Sequence, residues 1–181
     1  MPSSVYDIDP AHSSAHFSVR HMMVTNVKGE FTKVSGTVMF NPDNPAESQI
    51  EATIDAASLH TREEQRDTHL KSADFFDVAN HPEIRFVSRS VEPHGDGEFL
   101  VKGDLTIRGV TQGVTLRVEG PTPEVKDPWG NLKAGATATT KIHREDFGLM
   151  WNVALETGGV LVGKDVSITL EVELTRRAEQ V

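Results

Sequence analysis

The chain reads VSITLEVEL at residues 166–174, near its carboxyl end. Valine, isoleucine and leucine alternate there with serine, threonine and glutamate. Because successive side chains of a β-strand point to opposite faces, a period of two predicts a strand with one buried and one wetted face. We predict such a strand here, with its apolar face toward the protein interior.

The same alternation recurs along most of the chain. Turn-forming residues follow several of the alternating stretches, for example at residues 41–45 and 93–97. No helical crossover lies between most of these stretches, so antiparallel neighbours are favoured over a parallel sheet. We therefore predict an all-β fold, an eight-stranded antiparallel lipocalin-like barrel. Its other strands are predicted at residues 15–19, 34–40, 50–56, 84–88, 99–107, 114–118 and 132–142.

Two segments break the alternation. Thr61-Arg62-Glu63-Glu64 matches a capping box, which predicts a short helix over residues 65–76. Residues 143–164 form a connection that is too long and too apolar for a passive loop. We expect the helix and this long apolar loop to cover the barrel openings or to form its mouth.

Length and charge restrict the possible functions. The 181 residues suit one domain, which we place over residues 1–181. A net charge of -9 opposes binding to nucleic acid, and no apolar run approaches the roughly 20 residues of a membrane-spanning helix. The absence of cysteine excludes disulfides. Because residues 1–7 lack the basic start and the apolar run of a signal peptide, we expect a cytoplasmic location, although a processed exported chain would look the same.

Small residues on the predicted inner faces suggest a barrel with room inside. An eight-stranded barrel is either filled by its own side chains or holds one small ligand. Close sheet packing or barrel corners would explain the same small residues equally well. Because those faces offer few polar groups, a guest would be apolar, and each buried methylene contributes about 0.8 kcal/mol. The small residues are Gly36, Ala52, Ala56, Gly103, Ala134, Ala136 and Ala138.

Three segments give the chain a family resemblance. They are DPAHS at residues 9–13, RDTHLKSADFFD at residues 66–77 and GDLTIRGVT at residues 103–111. In this order they resemble the YceI-like family of lipocalin-like lipid-binding proteins. The resemblance implies a barrel that binds a polyisoprenoid, of the quinone or prenyl pyrophosphate type, with no catalytic residues, no cofactor and often a homodimer.

The candidate site residues are mostly large and apolar. Inward positions of the predicted strands could line a pocket, with ordinary core packing as the alternative. Large apolar residues in the two non-strand segments are candidates for the mouth. Arg66, His69 and Arg144 are candidates for a polar headgroup, and surface ion pairs with Asp67, Asp74 or Glu145 are the alternative. The pocket candidates are Phe17, Phe31, Val38, Phe40, Phe86 and Leu105, and the mouth candidates are Phe75, Phe76, Phe147, Met150 and Trp151.

Catalytic and metal chemistry lack their usual sequence patterns. His12 and His16 stand four residues apart, about 13 Å along a strand, which is too far to share an ion, so we expect no metal site. No nucleophile elbow, phosphate loop or dinucleotide fingerprint is present. The prediction is a carrier or store of a long apolar lipid. The alternatives are an enzyme acting on such a lipid with His21, His69 or His143 as acid or base, and an interaction protein with a filled barrel.

Overall fold

The computed structural model describes residues 3–178, and all bounds below refer to that part of the chain. It contains twelve strands and one α-helix, with short 3₁₀ turns at Pro10–His12, Pro45–Glu47, Ala56–Ser58 and Arg144–Phe147. The elements are β1 (Ser4–Ile8), β2 (Ser14–His21), β3 (Thr25–Phe31), β4 (Val34–Phe40), β5 (Gln49–Asp55), β6 (Leu59–His60), α1 (Glu64–Lys71), β7 (Glu83–Pro93), β8 (Glu98–Ile107), β9 (Val110–Glu119), β10 (Val125–Lys126), β11 (Leu132–His143) and β12 (Val162–Arg176).

Eight of these strands close into a ring. Its order is β1-β4-β5-β7-β8-β9-β11-β12, and β12 pairs back onto β1, with every pairing antiparallel. The predicted eight-stranded antiparallel barrel is therefore confirmed. Closure leaves each ring strand with an inner face and an outer face, as the alternating sequence requires.

One ring strand differs from those expected. The sequence prediction included β2 and missed β1, but β1 joins the ring through Ile8 opposite Leu174 and Tyr6 opposite Val38. β2 pairs instead with residues 162–171 of β12, and β3 and β6 follow β2 in the same sheet. The five-residue β1 escaped notice because it has only two buried apolar residues, Tyr6 and Ile8.

The ring is unevenly joined. β9 and β11 pair over three residue pairs, centred on Val118 opposite Ala138, whereas β11 and β12 pair over eleven. Beyond this short ladder, the Thr140 hydroxyl donates a hydrogen bond of 2.9 Å to the Thr115 carbonyl. The Thr140 side chain thus links β11 to β9 beyond the end of their backbone hydrogen bonds.

The helix begins and ends differently from the sequence prediction. Its N-cap is Glu63, whose carboxylate accepts hydrogen bonds from the backbone N–H groups of Gln65 and Arg66. The predicted cap at Thr61 is wrong, because the Thr61 hydroxyl donates to the Asp67 carboxylate and accepts from Arg66 Nε instead of capping a backbone N–H of the helix. α1 stops at Lys71 and not at residue 76. No helix within residues 3–178 has the length and apolar character needed to cross a bilayer.

Two of the small inward residues allow close packing of neighbouring strands. Gly36 has a φ of +149°, and a Cβ there would overlap the Glu51 carbonyl oxygen. A Cβ on Gly103 would lie 2.6 Å from the Phe86 ring and 2.5 Å from the Val87 carbonyl oxygen. For these two glycines the alternative of close sheet packing is the correct one.

We expect Gly36→Ala to lower the free energy of unfolding by about 2 kcal/mol, because β4 and β5 must separate to admit the methyl group. Chemical denaturation measures the difference. The matched control is Gly135→Ala on β11, where the new methyl group meets its nearest atom at 3.8 Å. Equal losses in the two variants would contradict the steric explanation.

Candidate functional site

The barrel interior contains a cavity of about 190 Å³. All eight ring strands contribute inward aliphatic side chains to its wall, and Ala52, Ala136 and Ala138 leave space between the larger ones. Six phenylalanine rings complete the wall. They belong to Phe17, Phe31, Phe40, Phe76, Phe86 and Phe99.

The few polar groups at the cavity wall already have partners. The Tyr6 hydroxyl donates to the Glu124 carboxylate at 2.6 Å, and the Ser48 hydroxyl accepts the Asn41 backbone N–H at 3.0 Å. Within residues 3–178, every buried side-chain nitrogen or oxygen has a hydrogen-bond partner. A polar guest would therefore lose its water without gaining new bonds.

Charged side chains stay outside the cavity. His16 and Arg85 lie at its border, but each sits between inward residues of its strand, for example Arg85 between the buried Ile84 and Phe86. Strand alternation therefore directs both charged side chains to the outer face. Among the described residues, the cavity has no inward charge.

Seven of the eleven predicted lining and mouth residues border the cavity, and their role in binding stays a prediction. Three of the rings pack in series, with centroids 5.7 Å apart for Phe17 and Phe31 and 5.5 Å apart for Phe31 and Phe76. Phe99, which packs on Phe40 at 5.6 Å, was not among the candidates, although the alternation of β8 already placed it on the inner face. The seven residues are Phe17, Phe31, Val38, Phe40, Phe76, Phe86 and Leu105.

The other four mouth candidates do not border the cavity. Phe147 is 1% exposed and packs in the core, while Met150 is 59% exposed on the surface. Phe75 turns away from its neighbour Phe76 and contacts the Trp151 ring at 5.4 Å. From this connection Leu149 reaches the cavity instead.

These residues belong to a cap over one end of the barrel. We define the cap as α1 with residues 72–82, together with residues 144–161. The His69 ring joins the two parts, because its centroid lies 4.6 Å from the Trp151 ring and 5.1 Å from the Phe75 ring. The Arg108 guanidinium, at the turn between β8 and β9, donates to the Phe75 carbonyl at 3.1 Å and ties the cap to the barrel.

Arg144 organises the second part of the cap. It is 2% exposed, and its guanidinium donates to the carbonyls of Leu149, Trp151, Val162 and Gly163 at 2.6–3.3 Å. Burial lowers the pKa of this guanidinium. Arg144 therefore serves neither as a headgroup contact nor as part of a surface ion pair. Its guanidinium N–H groups donate to carbonyls at both ends of the loop.

The other two headgroup candidates are also engaged. The Arg66 guanidinium donates to the Thr61 hydroxyl at 2.7 Å and to the Thr61 carbonyl at 2.8 Å. His69 Nε2 lies 2.9 Å from the Asp74 carboxylate, which is one of the ion pairs expected as the alternative. Arg66 thereby fastens α1 to β6.

A family model with the description YceI-like domain matches residues 6–174. The chain belongs to the YceI-like family. It is 39% identical over 170 residues to UPF0312 protein SAS2572 of Staphylococcus aureus, covering 94% of this chain and 96% of that protein.

Solved structures agree with this YceI-like assignment. BcnA of Burkholderia cenocepacia superposes with a TM-score of 0.75 at 25% identity, covering 92% of this chain and 98% of that one. A polyisoprenoid binding domain from Saccharophagus degradans superposes with a TM-score of 0.67 at 14% identity, covering 95% and 98%. At that identity, the second likeness shows the fold alone.

A cluster of ionisable groups lies outside the cavity of this YceI-like barrel. His12 Nδ1 lies 2.9 Å from the Asp9 carboxylate and 3.2 Å from the Glu173 carboxylate, a set that could hold a metal ion. Lys133 Nζ, however, lies 3.1 Å from Asp9 and 3.6 Å from Glu173. An ammonium group already balances these carboxylates, so the donor set is a poor fit for a metal ion.

We expect Arg144→Met to lower the free energy of unfolding by about 3 kcal/mol, because it leaves four carbonyls without their shared donor. Hydrogen exchange should quicken most in residues 148–163. The control is Arg117→Met, which removes an exposed guanidinium paired with Glu98. Equal effects of the two substitutions would contradict the organising role of Arg144.

The cluster should also give the protein a pH-dependent stability. The hydrogen bond from His12, opposed by burial and aided by Lys133, lowers the pKa of Asp9, and the bond to Asp9 raises the pKa of His12. Asp9 therefore stabilises the fold above its ordinary pKa near 4 and stops doing so as the pH falls through the lowered pKa. His12 stabilises the fold below its ordinary pKa near 6.5 and stops doing so as the pH rises through the raised pKa.

The expected result is that Asp9→Asn lowers the melting temperature most between about pH 4 and about pH 6.5. Thermal melts of both proteins across this range measure the difference. Asp96→Asn, in an exposed turn, serves as the control. A difference independent of pH would contradict the linkage.

Proposed function

We propose that the protein binds a long, uncharged lipid of the polyisoprenoid type inside the barrel and carries or stores it without chemical change. The apolar cavity without an inward charge is the observation that carries this proposal. Polyisoprenoid chains consist of branched hydrocarbon, so the wall can bind them through burial and shape alone. Membership of the YceI-like family supports the same ligand class, and a polyisoprenoid binding domain shares the fold.

An uncharged head fits this chain better than a diphosphate. A buried diphosphate requires several free cationic donors. Arg144 gives its donors to four carbonyls, Arg66 is bound to Thr61, and His69 is paired with Asp74. Of the two types that the resemblance implies, we therefore propose a quinone or a similar neutral isoprenoid over a prenyl pyrophosphate.

The geometry favours binding over catalysis. His21, His69 and His143, the acid or base candidates of the enzyme alternative, do not border the cavity. Ser14 Oγ lies 2.8 Å from His16 Nε2, and His16 Nδ1 lies 3.6 Å from the Glu30 carboxylate, an order also found in hydrolases. This row faces outward, however, away from any guest in the cavity.

The cytoplasmic location and the homodimer stay predictions.

Extraction of the purified protein with organic solvent, followed by mass spectrometry, tests the proposal directly. We expect a neutral isoprenoid in the extract, because water cannot compete for the apolar wall. An extract with no lipid, from a protein that also refuses added quinone, would contradict the proposal. Conversion of an added lipid into a new product would establish the enzyme alternative.

A substitution on β11 links that ligand to the cavity. Ala138→Phe places a ring in the cavity opposite Val118 and Leu170, and should weaken lipid binding by at least about tenfold while the fold persists. The control is Thr139→Phe, the next residue on the same strand, which faces outward and is exposed. Quinone titration compares the two variants. Equal affinities would place the ligand outside the cavity.

A further inference from the structure

Exposed apolar side chains gather at the capped end of the barrel. Eight large apolar residues are strongly exposed within residues 3–178. Five of them lie on the β2–β3 turn or on residues 144–161 of the cap, which we call the cap loop, and three lie elsewhere. We call these five residues the apolar tip. They are Met22 (47% exposed), Met23 (53%), Val24 (69%), Met150 (59%) and Val153 (47%).

The β2–β3 turn and the cap loop form one continuous surface. The Met22 backbone N–H donates to the Leu161 carbonyl at 2.8 Å, and the Met23 side chain lies against Gly159. The Leu161 backbone N–H in turn donates to the Val153 carbonyl at 2.9 Å. Met22 and Met23 of the turn are therefore held beside residues 153–161 of the cap.

The turn itself is unusual in its choice of residues. Met22 and Met23 have φ values of 52° and 65°, and the Val24 backbone N–H closes the turn on the His21 carbonyl at 3.1 Å. Two successive positive φ angles are normally supplied by Asn-Gly, since side chains with a Cβ are strained there. Two methionines at these positions help neither the turn nor the core.

Basic residues flank the β2–β3 turn of the apolar tip. Residues 17–29 include Arg20, His21 and Lys28 and no carboxylate, although the chain has a net charge of -9. Residues 148–163 contain a single carboxylate, Glu156. A protruding apolar surface with basic residues beside it has the composition of segments that enter the interface of an anionic bilayer.

We propose that the apolar tip docks the capped end of the barrel onto an anionic lipid bilayer. Met22, Met23 and Val24 enter the headgroup region, and Arg20 and Lys28 contact lipid phosphates. The flexible methionines adapt to a fluid surface, and a convex turn suits a bilayer better than a flat protein face. Docking goes beyond ligand binding and does not require a guest in the cavity.

Vesicle flotation with delipidated full-length protein tests this docking. We use vesicles of equimolar phosphatidylglycerol and phosphatidylcholine, and vesicles of phosphatidylcholine alone. Met22→Asn combined with Met23→Gly supplies the residues that the turn favours, so the variant should fold while binding anionic vesicles about tenfold more weakly. Arg20→Gln combined with Lys28→Gln should remove the preference for phosphatidylglycerol.

Trp129 provides a matched control at the other end of the barrel. It is 84% exposed and follows β10, which pairs with the Leu132 end of β11, whereas the apolar tip lies beside the His143 end. Trp129→Ser should leave vesicle binding unchanged.

Three results would overturn the proposal. The first is that the wild-type protein fails to float, and the second is that Trp129→Ser weakens binding as much as the methionine variant does. The third is a wild-type dimer that the methionine variant converts to a monomer, which would assign the apolar tip to contact between two copies. An extract with no lipid, from a protein that also refuses added quinone, would contradict the ligand proposal and leave this one standing.

Discussion

The closed ring of strands is the constraint on which the rest of the structure depends. A ring of eight strands removes every inward side chain from water, so a polar group there must find a partner within the protein. Tyr6 and Thr140 meet this requirement through Glu124 and the Thr115 carbonyl. The remaining wall is hydrocarbon, and the space that it encloses suits a hydrocarbon guest.

The cap is under a different constraint. An irregular segment that covers an apolar opening must find hydrogen-bond partners for its own backbone groups. Arg144 does this for residues 149–163 by giving one guanidinium to four carbonyls. A buried cation is costly to desolvate, and it is retained here because several backbone dipoles share its charge. The same arrangement removes Arg144 from any contact with a ligand headgroup.

Most of the long strands were predictable, whereas β1, β3 and the contacts of the non-strand segments were not. Alternation identified β12 and β8 directly, because a strand with one buried face has an apolar residue at every second position. The capping box at Thr61 was a chance match, because the Thr61 hydroxyl and backbone N–H donate to Asp67, six residues further on, and Glu63 caps the helix instead. Phe75 and Phe76 are equivalent by composition, and only the turn after α1 decides which ring meets the cavity. The carbonyl partners of Arg144 likewise come from folding and have no signature in the sequence.

The short β9–β11 ladder has a mechanical consequence. Widening a barrel requires hydrogen bonds to break along one strand pair, and this pair offers three residue pairs where β11–β12 offers eleven. The equally short β1–β12 ladder is reinforced along the same edge by β2. The β9–β11 junction is therefore the part of the ring where the fewest backbone hydrogen bonds oppose an increase in its circumference.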